Sequence, residues 1–293
     1  MLHGKVAIVT GAGGGLGRAE ALHLASLGAK VVVNDIGGAL DGSGSDASAA
    51  QRVVDEIVAA GGEAGANTAD VADFDAAASL VDQAVQTYGS LDILVNNAGI
   101  LRDRMIFNMA EDEWDAVIRV HLKGHFCTSR HATAYWRARA KDEGPVYARI
   151  INTSSEAFLF GSPGQPNYAA AKAGIVGLTL ATAASCAKYG VLANAIAPRA
   201  ATRMTADMAL DPTEFAPENV APLVGYLSSP AAERVNGYVF VAYGGQVDVI
   251  AGPSLEQRFT TDGRWTSEGL AKELKPFFDK REPYADGFAM PFS

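Results

Sequence analysis

A short apolar strand that runs straight into a glycine-rich turn and then a helix opens this chain, and strand–helix alternation continues to near residue 250. Lys5 to Thr10 (KVAIVT) leads into Gly11-Ala12-Gly13-Gly14-Gly15-Leu16-Gly17 and an Ala/Leu-rich stretch. Further β-branched runs lie at Ala29–Asn34, Leu91–Val95, Ala148–Thr153, Val191–Ala197 and Tyr238–Ala242, with a weaker one at Glu63–Asp70. Segments near 16–28, 46–60, 73–88, 111–141, 166–189 and 218–228 carry helical spacing between them. Continuous apolar strands separated by helices predict an α/β fold, a doubly wound parallel sheet of about seven strands with helices on both faces. Residues 1–250 read as one domain. Residues 251–293 leave the pattern and are polar, with Phe259, Trp265, Phe277, Phe278 and Phe288 scattered among them. That extension is expected to dock on the body or on a neighbouring subunit.

Several function classes fall away at once. A formal net charge of -9 argues against a nucleic-acid partner, which needs clustered Lys and Arg. Cys127 and Cys186 make neither a disulfide framework nor a zinc site. His3, His23, His125 and His131 lack metal-ligand spacing, so no metal is expected. The longest uncharged helical run, Ala173–Ala187, falls short of the ~20 residues that span a bilayer. The first residues show no signal-peptide pattern, and Pro291-Phe292-Ser293 does not match a peroxisomal S-K-L terminus. A cytoplasmic location is the expectation.

The first turn reads as a phosphate cradle. The spacing is T-G-x-x-x-G-x-G on Thr10, Gly11, Gly15 and Gly17, with Gly13, Gly14 and Leu16 between. Glycines let the backbone approach a pyrophosphate, and the helix that follows offers free N–H groups and a positive dipole end. The second strand ends in Asn34-Asp35, 18 residues beyond Gly17. A carboxylate there accepts ribose hydroxyls and repels the 2′-phosphate of NADP, so NAD is the expected cofactor. Gly14 sits where a phosphate-binding cation could have stood. Asn97-Ala98-Gly99 after the fourth strand can line the adenine-ribose side. Asp70-Val71 either meets the adenine or is only a turn.

A second cluster carries reaction chemistry. Ser155 follows the fifth strand, Tyr168 lies 13 residues on and Lys172 four beyond that, behind Pro163 and Pro166. On a helix Tyr168 and Lys172 share a face. A phenol titrates near pH 10, too high for a base at neutrality. A neighbouring ammonium and a positively charged nicotinamide would favour the phenolate. Ser155 can then bond the substrate oxygen while Tyr168 moves its proton, and Lys172 can hold the nicotinamide ribose.

With cradle and Tyr–Lys pair together, the chain resembles the short-chain dehydrogenase/reductase family. The resemblance covers about Leu2 to Val249. It implies a Rossmann-type sheet in the order 3-2-1-4-5-6-7 and hydride transfer between a carbinol and NAD(P). It makes Tyr168 the acid/base, Ser155 the oxygen stabiliser and Lys172 the ribose clamp. Asn34-Asp35-Ile36-Gly37-Gly38, Asn97 through Arg104, Arg203-Met204-Thr205 and Val220 through Val224 are similar to the (3R)-hydroxyacyl-CoA dehydrogenase unit of peroxisomal multifunctional enzymes. That subgroup implies an acyl-CoA or hydroxysteroid substrate, and the family implies a homodimer or homotetramer.

Three positions depart from the common family pattern. His121 stands where many members place an asparagine, and it either relays protons or packs. Pro198 is followed by Arg199 instead of glycine, beside the expected nicotinamide pocket. Glu156 follows Ser155 and is expected to be solvated or to form a cap. Met204, Met208, Leu210 and Phe215, with Phe158 and Phe160, form either an apolar substrate wall or ordinary core. Arg102, Arg104, Arg199 and Arg203 are candidate cations for a CoA phosphate. Two competing readings are an NADPH-dependent 3-oxoacyl-carrier-protein reductase and a non-catalytic dinucleotide sensor.

Overall fold

The computed structural model describes residues 1–208 and 210–283. Its strands are β1 (Val6–Thr10), β2 (Lys30–Asn34), β3 (Glu63–Asn67), β4 (Ile93–Asn96), β5 (Ala148–Thr153), β6 (Val191–Pro198), β7 (Val239–Tyr243) and β8 (Gln246–Val249). They form a single sheet in the order β3-β2-β1-β4-β5-β6-β7-β8. The first seven are parallel, as expected. The helices are α1 (Gly15–Ser26), α2 (Ser48–Ala59), α3 (Phe74–Tyr88), α4 (Glu111–Ile118), α5 (Gly124–Glu143), α6 (Ala157–Phe160), α7 (Pro166–Cys186), α8 (Ala221–Leu227) and α9 (Ser267–Phe278).

Strand alternation explains the two-sided core. Along β1, Ala7 and Val9 join one cluster with Leu24 of α1, Ile57 of α2 and Val224 of α8. Val6 and Ile8 point the other way, to Leu80 of α3, Trp136 of α5 and Ala183 of α7. Both faces are covered, which is why the strands read as unbroken apolar runs. The buried Trp136 indole donates to the Leu91 carbonyl at 2.7 Å, tying α5 to the entry of β4.

Four features depart from the expected outline. An eighth strand, β8, pairs antiparallel with β7 through the two-residue turn Gly244-Gly245, a hairpin signal present in the sequence. The weak third strand ends at Asn67, leaving Asp70 in the following loop. The helix expected over 111–141 is broken: Arg119–Lys123 is a single π-helical turn between α4 and α5, with His121 at its centre. Such wider turns recur at functional sites because they re-aim one side chain. The extension contains α9, capped by Thr266, whose hydroxyl accepts from Gly269 N at 3.0 Å. Phe277 meets Phe259 and Phe278 edge-on at 5.5 and 5.1 Å, and Arg281 pairs with Glu256. Phe288 and Pro291-Phe292-Ser293 lie outside the described residues, as does the Met208 side chain.

Among the described residues, one helical run, Pro166–Tyr189, is long and apolar enough to cross a membrane by length and composition. In the fold its α7 portion lies along β6 and buries Asn167, Lys172 and Thr179. That placement suits a helix of the sheet layer.

Candidate active site

The site is a cleft of about 700 Å³ outside the carboxyl ends of the parallel strands, lined by residues of both predicted clusters, with Gly13 and Gly17 set behind its surface. This is where ligands bind in open α/β sheets, and the volume lies in the range of ligand pockets.

The cradle is shaped by backbone proximity. Gly11 has a φ of +64°, and a Cβ there would stand 2.7 Å from the Ala98 Cα. A Cβ on Gly17 would clash with the Gly11 carbonyl and the Asn97 amide. Gly13 faces Asp35, 2.9 Å from the Asp35 Cγ if it bore a Cβ. Gly14 is different: nothing lies within 4 Å of its Cβ position. The protein therefore does not require glycine there, in keeping with an open side toward a ligand. The N-terminus of α1, at Gly14, Gly15 and Leu16, lines the cleft and carries no side-chain cap. Its free N–H groups fit a pyrophosphate.

The polar residues around the cradle hold its shape. Thr10 Oγ1 accepts from Asn97 N at 3.0 Å and Ala98 N at 3.2 Å. The Asn97 amide donates to the Thr10 and Gly11 carbonyls, each at 3.1 Å. Asn97 therefore braces the turn, while Ala98 and Gly99 line the cleft beside it. Asp35 accepts from Gly13 N at 2.8 Å through one oxygen and from Gly37 N at 2.6 Å through the other. A carboxylate has lone pairs left for ribose hydroxyls. Asp70 and Val71 also line the cleft. Asp70 serves as a turn, accepting from Ala72 N at 2.9 Å, and pairs with Arg119 at 2.5 Å.

Ser155, Tyr168, Lys172, His121 and Pro198 line the same cleft from the other side. Pro166 opens α7, and one turn separates Tyr168 from Lys172. The Ser155 hydroxyl accepts from Ala157 N at 3.2 Å and lies near enough to the Tyr168 hydroxyl to favour its phenolate. Burial pushes the Tyr168 phenol up to about 12, with the Ser155 hydroxyl pulling it down and the Asp103 charge adding to the rise. The Lys172 ammonium is buried, 5.2 Å from the Tyr168 ring centroid, and donates to the Thr153 carbonyl at 2.6 Å. Burial lowers it to about 7. A positive charge delivered beside this pair would have a large effect, since burial weakens the screening between them.

His121 packs edge-on against Tyr168, with ring centroids 5.2 Å apart. Its Nε2 lies 3.0 Å from Ile100 N and 2.8 Å from Ile100 O, and its Nδ1 is buried without a partner among the described residues. Burial and the Lys172 charge hold the imidazole well below its ordinary range, so it is neutral at pH 7. Gly99 makes room for it: a Cβ there would meet the imidazole.

Other expected roles change. Glu156 is neither solvated nor a side-chain cap; it forms a two-pronged ion pair with Arg199 at 2.5 and 2.8 Å. Arg102 and Arg104 are paired with Asp112 at 3.4 Å and Glu113 at 2.8 Å. Arg203 is exposed and lines the cleft. Phe160, Met204, Leu210 and Phe215 line it too, whereas Phe158 does not. Sequence reasoning missed Thr202, whose methyl lies 3.6 Å from the Cβ position of Gly15, bringing the chain after β6 against the cradle. It also missed the Thr153 carbonyl that anchors Lys172. Neither carries a local signal, because each contact joins distant elements.

Fold and site together define a dinucleotide-dependent oxidoreductase. The model of the short chain dehydrogenase family matches residues 5–212, and the chain belongs to that family, whose members bind NAD(P). It is 52% identical to hydroxyacyl-CoA dehydrogenase ChsB1 of Mycobacterium tuberculosis, over 96% of this chain and 91% of that protein. It is 45% identical to the peroxisomal hydratase-dehydrogenase-epimerase of Neurospora crassa over 83% of this chain, which spans 26% of that larger protein. A crystal structure of a short chain dehydrogenase from Mycobacterium avium superposes with a TM-score of 0.86 at 54% identity, covering 96% of this chain and 97% of the other.

Proposed function

We propose that this protein is an NAD-dependent dehydrogenase of (3R)-3-hydroxyacyl-CoA esters, those with a steroid-derived acyl group included. The observation that carries the reading is the convergence of Ser155, Tyr168 and Lys172 on the cleft that holds the glycine cradle and Asp35. Similarity to a hydroxyacyl-CoA dehydrogenase, 52% identical over nearly its whole length, supports the substrate class.

The residues divide the work by position. Gly11 through Gly17 and the start of α1 would hold the pyrophosphate, Asp35 the adenosine ribose, and Lys172 the nicotinamide ribose. Asp35 disfavours a 2′-phosphate by like charge, and Gly14 adds no cation to offset it. The bound cofactor supplies the hydride acceptor and a positive charge beside Tyr168. Tyr168 takes the carbinol proton as the C–H bond breaks, and Ser155 donates a hydrogen bond to that oxygen. His121, neutral and bonded to Ile100, supports the Tyr168 ring from its edge. Phe160, Met204, Leu210 and Phe215 provide an apolar wall for the acyl group. A homodimer or homotetramer in the cytoplasm completes the reading.

A panel of oxidations tests it: 3-hydroxyacyl-CoA esters of several lengths and 17β-hydroxysteroids, each with NAD and NADP. Turnover of the CoA esters with NAD, abolished in Tyr168→Phe, is expected. A preference for NADP would return the protein to the acyl-carrier-protein reductase reading. Binding without any turnover would leave a sensor.

A further inference from the structure

β5 and β6 lie side by side with Thr153 opposite Ile196. Carrying that register past the strand ends sets Ser155 opposite Pro198 and Glu156 opposite Arg199. The second pairing is realised as the two-pronged ion pair. The guanidinium also lies over the Tyr243 ring, 4.5 Å from its centroid, and Tyr243 stacks on Phe215 at 5.7 Å. A carboxylate on one edge and an aromatic face beneath hold Arg199 in place. Glu156 takes two of its N–H groups, on Nε and Nη2. Nη1 makes no protein hydrogen bond among the described residues. Arg199, Glu156, Ser155 and Phe215 all line the cleft.

The charge of this group is already balanced. An arginine meant for a phosphate keeps its positive charge available, whereas this one is half-buried and neutralised by its partner. It emerges from β6, three strand positions from β1 in the sheet order, or about 14 Å at the usual spacing. Its near neighbour in register is Ser155, which faces the reacting oxygen. A fixed, charge-balanced donor beside that oxygen suits an uncharged acceptor nearby. In a 3-hydroxyacyl or 3-oxoacyl thioester, the thioester carbonyl carbon is two bonds from the reacting carbon.

We propose that Arg199, oriented by Glu156 and Tyr243, donates a hydrogen bond to the thioester carbonyl and so selects substrates that carry this second oxygen. Arg199 is then a specificity-determining residue, and Glu156 a positioning residue acting through it. The inference rests on the thioester reading of the substrate given above.

The test uses a 3-oxoacyl thioester of N-acetylcysteamine, which lacks the phosphates of CoA, against a monoketone of matched length, with NADH. In Arg199→Met the preference for the thioester is expected to shrink roughly 10- to 100-fold, chiefly through KM, as for one lost hydrogen bond to a charged donor. NADH affinity, read by fluorescence quenching, holds, while the melting temperature falls in Arg199→Met because Glu156 loses its partner. Arg199→Lys recovers part of the preference, and Glu156→Gln lowers it by a smaller factor because Arg199 remains but is less firmly aimed. An unchanged preference in Arg199→Met, or a parallel loss of NADH affinity, overturns the inference while the dehydrogenase reading stands. A wild-type protein that turns over no thioester overturns both.

Discussion

The two walls of the cleft are built in opposite ways. On the cradle side, polar side chains hold backbone. Asp35, Thr10 and Asn97 each bond main-chain groups, and glycines let those segments touch. On the reaction side, charged and titratable side chains converge from distant elements with few partners. Lys172 has one carbonyl, His121 Nδ1 and Thr153 Oγ1 have no partner among the described residues, and Tyr168 is raised to about 12. The cradle is preorganised by shape. The reaction side holds groups whose proton affinities burial has shifted, Tyr168 upward and Lys172 downward. Binding and chemistry thus place different demands on stability: the polar side chains that line the first wall are satisfied, Glu20 behind it on α1 excepted, and the second wall retains unfavourable burial in exchange for reactivity.

Substitutions that remove the charge chemistry should have the largest effect. Tyr168→Phe is expected to lower kcat roughly 10²- to 10⁴-fold, the span of general acid–base catalysis, with NAD affinity little changed. Equal activity in that variant would erase the division between the walls. The complementary change, Gly17→Ala, forces a methyl into the Gly11 carbonyl. It should raise KM for NAD strongly and destabilise the protein by about 1–3 kcal/mol. Normal cofactor affinity together with a normal melting temperature would show that the cradle tolerates looser packing than its geometry implies.

Asp35→Ser sharpens the comparison by altering ligand preference without touching the reaction side. NAD use should weaken and the NAD/NADP preference fall by about tenfold or more, since like-charge repulsion of the 2′-phosphate is removed. The ratio of kcat/KM values measures it.

Smaller effects separate the two burial penalties by their pH dependence. Lys172 is lowered to about 7 from an ordinary 10.5. Between those values the unfolded chain binds a proton that the folded chain does not, so stability rises with pH through that window. Lys172→Met should therefore raise the melting temperature of the cofactor-free protein by a few degrees below pH 7. The gain should fade toward pH 10.5, while activity is lost throughout. Glu20, on the cradle-bearing α1, is fully buried with neither oxygen partnered among the described residues and is pushed up to about 8 by burial. Its folded form retains a proton between about 4.5 and 8, so stability falls with pH across that range. Glu20→Met should stabilise more at pH 8.5 than at pH 5. A pH-independent gain in either variant would mean that the buried group is solvated.

Local motifs were legible and long-range pairings were not. Thr10 through Gly17, Asp35 and the Tyr168–Lys172 spacing are short patterns whose geometry follows from one strand, one turn or one helix. The Gly244-Gly245 hairpin was equally visible in principle, but the strand after it is only four residues, Gln246–Val249, too short for its alternation of polar residues with Val247 and Val249 to stand out. The π-helical turn at Arg119–Lys123 escapes periodicity because one extra residue barely alters the apolar pattern, yet it re-aims His121. Glu156 and Arg199 are 43 residues apart, and only their neighbouring strands reveal the pair.

Residue order alone determined the alternation of strand and helix, the parallel sheet, the bend that admits a diphosphate and the one-turn spacing of phenol and amine. Each is set by interactions among neighbours along the chain or by the two- and 3.6-residue periods of regular structure. Tertiary structure decided which polar groups are neutralised, which are buried without a protein partner among the described residues and which carbonyl meets the buried ammonium. Those outcomes depend on strand order and on local dielectric, properties that arise only once segments far apart in the chain are brought together.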